Sequence, residues 1–220
     1  MDFQDFLQYV PNIIPVKLPA TSSHLKMAPK ERAEGLKNLD INALNPRMAA
    51  VMMLIYPKNK ETHLVLIVRN AYNGVHSSQI AFPGGKFETT DSGFEETALR
   101  ETHEEVGILP EKIKIIKEFS PMFIPPSNFL VHPFLGIATE ELTFYPDVRE
   151  VASVIELPLS VFLDDEIMIE ATLPATSYGS NIVVPAFNIQ NHIVWGATAM
   201  ILSELRDVLK VTFEENLQKQ

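Results

Sequence analysis

The sequence predicts an α/β (α+β) protein built on a mixed β-sheet, and three observations lead there. Two dense runs rich in Val, Ile and Leu, MAAVMMLIY from Met48 and HLVLIV from His63, flank the turn-forming stretch PKNKET, the pattern of a hairpin of buried strands. A stretch of helical period, Phe94 to Val106, comes next. Beyond it, strand-like and helix-like segments interleave up to an apolar C-terminal helix, so parallel and antiparallel pairings are both expected.

Taken in order, residues 1–46 hold several prolines and two short helix-like pieces, Asp2 to Val10 and Pro29 to Leu39. They are expected to form an N-terminal extension packed on a domain spanning 47–220. After the hairpin and the Phe94 helix, KIKIIKEF alternates as a strand should, and FLVHPFLGIA and EVASVIELP read as two more strands. Pro158 to Leu163 has the look of a short helix, and PATSYGSNIVVPAF of a variable connection. HIVW then leads as a strand into a helix from about Ala197 to Leu209. No internal repeat and no low-complexity segment interrupts this order.

Composition narrows the function classes. The chain has 220 residues, 46% hydrophobic and 21% charged, which suits one domain with modest extensions. Eighteen Lys and Arg against 28 Asp and Glu give a net charge of −10, the wrong sign for a protein that coats a nucleic-acid backbone. The absence of cysteine excludes disulfides, thiolate nucleophiles and Cys-ligated zinc, and leaves hard metals with oxygen ligands open. The opening MDFQDFLQYV lacks the basic and apolar regions of a secretory signal, and Met48 to Tyr56 is too short to cross a bilayer. A cytoplasmic protein without membrane or nucleic-acid partners is the expectation.

The chemistry concentrates between Gly84 and Ile108, GGKFETTDSGFEETALRETHEEVGI. Ser92 and Glu95 have capping-box spacing, and Gly107 stands where a helix C-cap wants a left-handed residue, so the segment reads loop, helix, stop. At 100° per residue, Phe94, Ala98, Glu101 and Glu105 fall within about 60° of one another. Glu101, Glu104 and Glu105 repel along the helix, and the last two also face the unfavourable end of its dipole. A divalent cation such as Mg²⁺ or Mn²⁺ removes that conflict. A solvated acidic face is the plainer alternative, against which stand the angular clustering, the Gly-Gly entry and Arg100.

These residues resemble the Nudix box, G-x-x-x-x-x-E, seven residues, then R-E-U-x-E-E-x-G-U with U a bulky aliphatic. Arg100-Glu101-Thr102-His103-Glu104-Glu105-Val106-Gly107-Ile108 matches the second half, with Thr102 at the first aliphatic position. Asp91 replaces the first-half Glu, and eight residues separate it from Arg100, an expansion expected of the coenzyme A pyrophosphatase branch. Arg69 to Gly85, with Arg69, His76, Gln79 and Phe82-Pro83-Gly84-Gly85 in register, is similar to that branch's upstream signature, although Asn73 and Ser78 depart from its usual Leu and Gly. Ser127 to Pro133 and Val194 to Ala199 resemble two further branch segments, so the likeness runs over roughly residues 47–205.

The resemblance implies a Nudix-type α/β/α sandwich, a mixed sheet between helices with the box as a loop-helix-loop. It also implies metal-dependent pyrophosphohydrolysis of coenzyme A or its thioesters. Glu101 and Glu105 are then the principal metal ligands, with the Gly85 carbonyl as another. Glu104 is a further ligand or the base, and Arg100 orients the carboxylates through charge-assisted hydrogen bonds. Arg69 and Lys86 are the candidate cations for the substrate phosphates. The nearest alternative substrates are ADP-ribose or another nucleoside diphosphate derivative. A non-catalytic ligand-sensing Nudix domain fits least, since the box carboxylates are kept. Oligomeric state is left open, a homodimer being one form.

Other residues carry structural readings. His103 lies opposite the Glu101 and Glu105 face and is expected in solvent. His132 and the Met48, Met52, Met53 group read as strand residues, and Trp195 as a core anchor at a helix entrance. His76 belongs to the upstream signature or to a turn, and Pro125-Pro126 to a rigid loop near the site.

Overall fold

The computed structural model describes residues 1–29, 42–70, 79–173 and 181–217. The second helix-like piece of the N-terminal segment falls almost wholly outside them, as does the stretch around His76. The predicted hairpin forms from β1 (Arg47–Lys58) and β2 (Glu61–Arg69), closed by Asn59 and Lys60, both at positive φ as a tight right-twisting hairpin turn requires. Parallel to β1 and in register from Arg47↔Phe129 to Ile55↔Ile137 runs β7 (Phe129–Ile137). Outside β7 lie β5 (Lys114–Glu118) and β6 (Met122–Ile124), both antiparallel to it. On the far side, β8 (Val151–Pro158) pairs antiparallel with β2, which makes the sheet mixed as expected.

The site depends on how β1 and β2 diverge. They pair only near the turn, from Ile55↔Leu64 to Lys58↔Glu61. Beyond that point the gap is filled by two short strands, β3 (Ile80–Ala81) against β2 and β4 (Gly84–Lys86) against β1. The link between them is held at Met52, whose N–H donates to the Pro83 carbonyl at 2.8 Å.

Side-chain alternation along the strands supplies two cores. Met53, Ile55, Leu64 and Leu66 join one cluster, while Met52, Leu54, Val65 and Ile67 join the other. The second is covered by α3 (Phe94–Val106), which packs on β1, β4 and β7. The first is covered by α1 (Phe3–Ile13) and a C-terminal helix, Gly196–Leu217, through Phe3, Phe6, Leu202 and Leu205. Helices on both faces of a mixed sheet make the expected sandwich. In chain order α2 (Thr21–His24) lies between α1 and α3, α4 (Leu159–Leu163) follows α3, and the C-terminal helix is α5.

Two expectations need correction. The stretch read as a variable connection contains β10 (Ile182–Ile189), flanked by β9 (Met168–Leu173) and β11 (His192–Val194) in a separate antiparallel sheet. Pro185 within the run masked the strand, because a proline cannot donate to a ladder. Helix α5 also continues past Leu209 to Leu217, its later turns held by packing such as the Tyr9–Phe213 edge contact. No described helix is long and apolar enough to cross a membrane.

The N-terminal segment is fastened to the sandwich by a buried carboxylate. Glu204 on α5 is fully buried and accepts from the Ala20 N–H at 2.8 Å, the Ser120 N–H at 3.1 Å and the Ser120 hydroxyl at 2.6 Å, with the His24 imidazole 3.4 Å away. Replacing Glu204 by Ala strands these donors, and urea denaturation is expected to show a loss of about 3 kcal/mol; a loss under about 0.5 kcal/mol, the surface-substitution range, contradicts this account.

Candidate active site

Helix α3 carries the candidate carboxylates and is positioned by its ends. It begins one residue later than the capping-box spacing implies: the N-cap is Gly93, without a side-chain cap bond. Consequently Glu96 rather than Glu95 stands at the third helical position, where its carboxylate accepts from the Ser92 N–H at 2.6 Å. The far end matches expectation, with Gly107 left-handed at φ 75° and its N–H bonded to the His103 carbonyl. A loop running back from β7 secures that end, as the Tyr145 N–H donates to the Val106 carbonyl at 2.9 Å and the Asp147 N–H to the Glu105 carbonyl at 3.0 Å.

Glu105 points under β4. One oxygen, Oε2, accepts from the Gly84 N–H at 2.8 Å, and Oε1 lies 3.0 Å from the Arg69 guanidinium. Burial pushes its carboxyl up to about 7, against the pull of Arg69 and of the Gly84 N–H. One turn back, Glu101 faces Gly85 and is also shifted upward by burial, with Arg100 opposing. Glu104 stands at the rim, its side chain 56% exposed, 3.1 Å from Arg100.

Glycines allow this close approach. A Cβ on Gly85 falls 2.4 Å from the Glu101 carboxylate, and one on Gly84, whose φ is 155°, falls 2.4 Å from the Ala50 carbonyl oxygen. The two obstacles differ in kind, since a carboxylate can swing aside and a backbone cannot.

Arg100 uses every face of its guanidinium. Nε donates to Asp91 Oδ1 at 2.9 Å, Nη2 to Asp91 Oδ2 and to the Lys86 carbonyl at 3.0 Å each, and Nη1 to Glu101 at 2.9 Å and Glu104 at 3.1 Å. Asp91, the residue departing from the box pattern, is buried and also accepts from Thr97 Oγ1 at 2.8 Å and the Glu88 N–H at 3.0 Å. These bonds, Arg100's foremost, hold its carboxyl far below the usual range. The structure thus brings Gly85, Arg100, Glu101, Glu104, Glu105 and Arg69 together. The Lys86 side chain is exposed at the edge of β4 and makes no ion pair among the described residues.

Two acidic residues complete this surround without having been singled out. Asp91 orients Arg100, and its only signal was the deviation from Glu. Glu150, before β8, lies 3.9 Å from Arg69 and is exposed; nothing in the sequence connects it with α3. His103 is in solvent, as expected. His132 stacks on Phe94 at 3.9 Å between ring centroids and meets Glu118 at 2.8 Å, a structural placement at the base of α3. Trp195 is only half-buried and lines a cavity of about 200 Å³ with Gln79 and His192, a correction to its reading as a core anchor. A larger cavity of about 450 Å³, lined by Tyr56, Phe144 and Glu156, contains none of the candidate ligands.

Residues 46–169, more than half of the chain, match the NUDIX domain. The chain belongs to the Nudix family. A protein of Photorhabdus laumondii subsp. laumondii named the uncharacterized Nudix hydrolase NudL is 34% identical over 167 residues, covering 76% of this chain and 87% of that protein. A protein of the same name from Enterobacter sp. is 34% identical over 164 residues, covering 74% of this chain and 83% of that one. The crystal structure of the Nudix hydrolase RenU from M. Smegmatis has the same fold, with a TM-score of 0.51 at 18% identity over 76% of this chain and 87% of that one. The segment matched takes in Arg69, Gly85, Arg100 and the three glutamates.

Two substitutions separate packing from chemistry in this candidate site. Gly84→Ala is expected to destabilise by about 3 kcal/mol through backbone collision and strain, whereas Gly85→Ala keeps stability within about 1 kcal/mol and displaces Glu101, abolishing turnover. Thermal melts and activity assays distinguish the pair, and equal melting losses count against this geometry. The Asp91–Arg100 pair makes a second prediction. Because the folded protein lowers the Asp91 pKa, its stabilisation is complete above the unfolded carboxylate range, about pH 4, and is lost as pH falls through the folded value. Asp91→Asn should lower stability at pH 7 and flatten the acid side of the stability curve; an unchanged acid slope contradicts it.

Proposed function

We propose that this Nudix hydrolase cleaves the diphosphate of coenzyme A or its thioesters, giving adenosine 3′,5′-bisphosphate and 4′-phosphopantetheine derivatives, with Mg²⁺ or Mn²⁺ as cofactor. The observation that carries the chemistry is the stacking of Glu101 and Glu105 against a Gly84-Gly85 strand, with Arg100 fixing the adjoining carboxylates. Support for coenzyme A comes from the segments Arg69 to Gly85, Ser127 to Pro133 and Val194 to Ala199, which resemble that branch of the family.

The donor set suits a hard divalent cation: carboxylates, a nearby glycine carbonyl, and no sulfur. Burial raises the cost of charge on both Glu101 and Glu105, the condition that a cation relieves. Among the described residues no three acids or histidines already converge as a metal cage, each glutamate being engaged by an arginine or a backbone N–H. In this reading Glu101 and Glu105, with the Gly85 carbonyl, hold the cation, which when bound offsets charge on the phosphoryl oxygens. Arg100 keeps the carboxylates oriented. Glu104, at the rim with most of its side chain in solvent, takes the proton from the water that attacks phosphorus. Lys86 and Arg69 stand beside the site as cations for the phosphates, including the 3′-phosphate that the acidic protein must attract locally.

Incubating the protein with Mg²⁺ and, separately, coenzyme A, ADP-ribose and diadenosine polyphosphates, then identifying products by mass, tests the substrate. Cleavage of coenzyme A is expected, and intact coenzyme A beside a cleaved competitor overturns the assignment. In the same assay Glu104→Gln is expected to lower kcat about 10²-fold or more, and near-normal turnover at saturating Mg²⁺ removes Glu104 as the base.

A further inference from the structure

We infer that Arg69 is a placeholder cation: it neutralises Glu105 until a divalent cation is taken up, then releases it and turns outward to Glu150 and the substrate's phosphates. The inference rests on the metal-dependent reading above and concerns how the protein's own residues exchange partners.

The two arginines at the site are held very differently. Every nitrogen of the Arg100 guanidinium makes directed hydrogen bonds of 2.9 to 3.1 Å, so that side chain is fixed. Among the described residues the Arg69 side chain has one marginal bond, to the Gly84 carbonyl at 3.5 Å. Its 3.0 Å approach to Glu105 Oε1 is close but poorly aimed, and that buried oxygen has no directed hydrogen bond among the described residues. The contact is therefore mainly Coulombic. A Coulombic partner is replaceable by another cation, whereas Oε2 stays pinned by the Gly84 N–H at 2.8 Å.

The surroundings provide somewhere for Arg69 to go. Nη2 is already 3.9 Å from Glu150, whose side chain is 57% exposed against 2% for Glu105. The backbone on both sides is tied, with the Arg69 N–H on the Gln79 carbonyl at 3.0 Å and the Asn70 N–H on the Glu150 carbonyl at 2.8 Å, so a side-chain rotation suffices. Guanidinium and divalent cation repel when both crowd one carboxylate, so the exchange is competitive.

Competition has a sign that a purely structural or purely substrate-binding arginine lacks. Mn²⁺ binding by calorimetry, without nucleotide, is expected to be about tenfold tighter for Arg69→Met than for the wild type. Arg69→Lys should stay near wild type, and Lys86→Met, a control for general charge, should change little. In addition, the Arg69 guanidinium ¹⁵N resonance should shift on Mg²⁺ addition in the wild type and not in Glu105→Gln, a measurement that carries the test if Arg69→Met fails to fold. Unchanged or weaker Mn²⁺ binding by Arg69→Met, an equal gain from Lys86→Met, or an unmoved resonance overturns the exchange. Absence of Mn²⁺ binding in the wild type overturns the metal-dependent reading as well, while failure of coenzyme A as substrate touches neither result.

Discussion

Burying the Glu105 carboxylate beneath strand β4 is the constraint on which the rest of the site depends. A carboxylate leaves water only at considerable cost, and here a backbone N–H and a guanidinium offset part of it. The geometry that delivers the N–H demands that a strand lie almost against a helix. A Cβ at Gly84 would meet the β1 backbone at Ala50 and Val51, and one at Gly85 would meet the Glu101 carboxylate, so the two glycines are what lets β4 lie between β1 and the helix. Glu101 then occupies the volume that a Cβ on Gly85 would have filled, and Arg100 and Asp91 are ordered around it.

The sheet makes this possible by parting. Had β1 and β2 stayed paired along their length, no gap would admit β3 and β4, and α3 would pack on an unbroken apolar surface. Divergence beyond Ile55 opens a wedge whose mouth lies beside the N-terminal half of β1, at Ala49 to Val51. Rigid pairing of β1 with β7 over nine residues fixes one wall, and β8 fixes the outer side of β2. The candidate site groups thus sit on short strands set into this gap and on a helix packed over one face of the sheet, on a backbone held by long strands.

Much of this was legible in the chain. The hairpin and α3 have strong periods, and the clustering of Glu101 and Glu105 follows from helical geometry alone. Gly107 announced the helix stop because a left-handed cap favours one residue type. Strands β3 and β4 left no such trace, being two and three residues long and too short for alternation to register. Pro185 hid β10 for a local reason that the tertiary fold overrides. The meeting of Arg69 and Glu150 with Glu105 was unreadable for another reason: it is made by the order of strands in space, and no local pattern encodes which distant charges a sheet will bring together. Asp91 lies between these cases, visible as a departure from a pattern but silent about its grip on Arg100.

The attachment of the N-terminal segment through Glu204 bears on what can be cut away. Residues 46–169 are the unit the family shares, yet the face formed by Met53, Leu66 and Leu135 is roofed by Phe3 and Phe6 from before that stretch and by Leu202 and Leu205 from after it. The unit of inheritance and the unit of folding therefore do not coincide. Without the flanking helices the strands and box would present this apolar wall to water, so those helices serve as its cover.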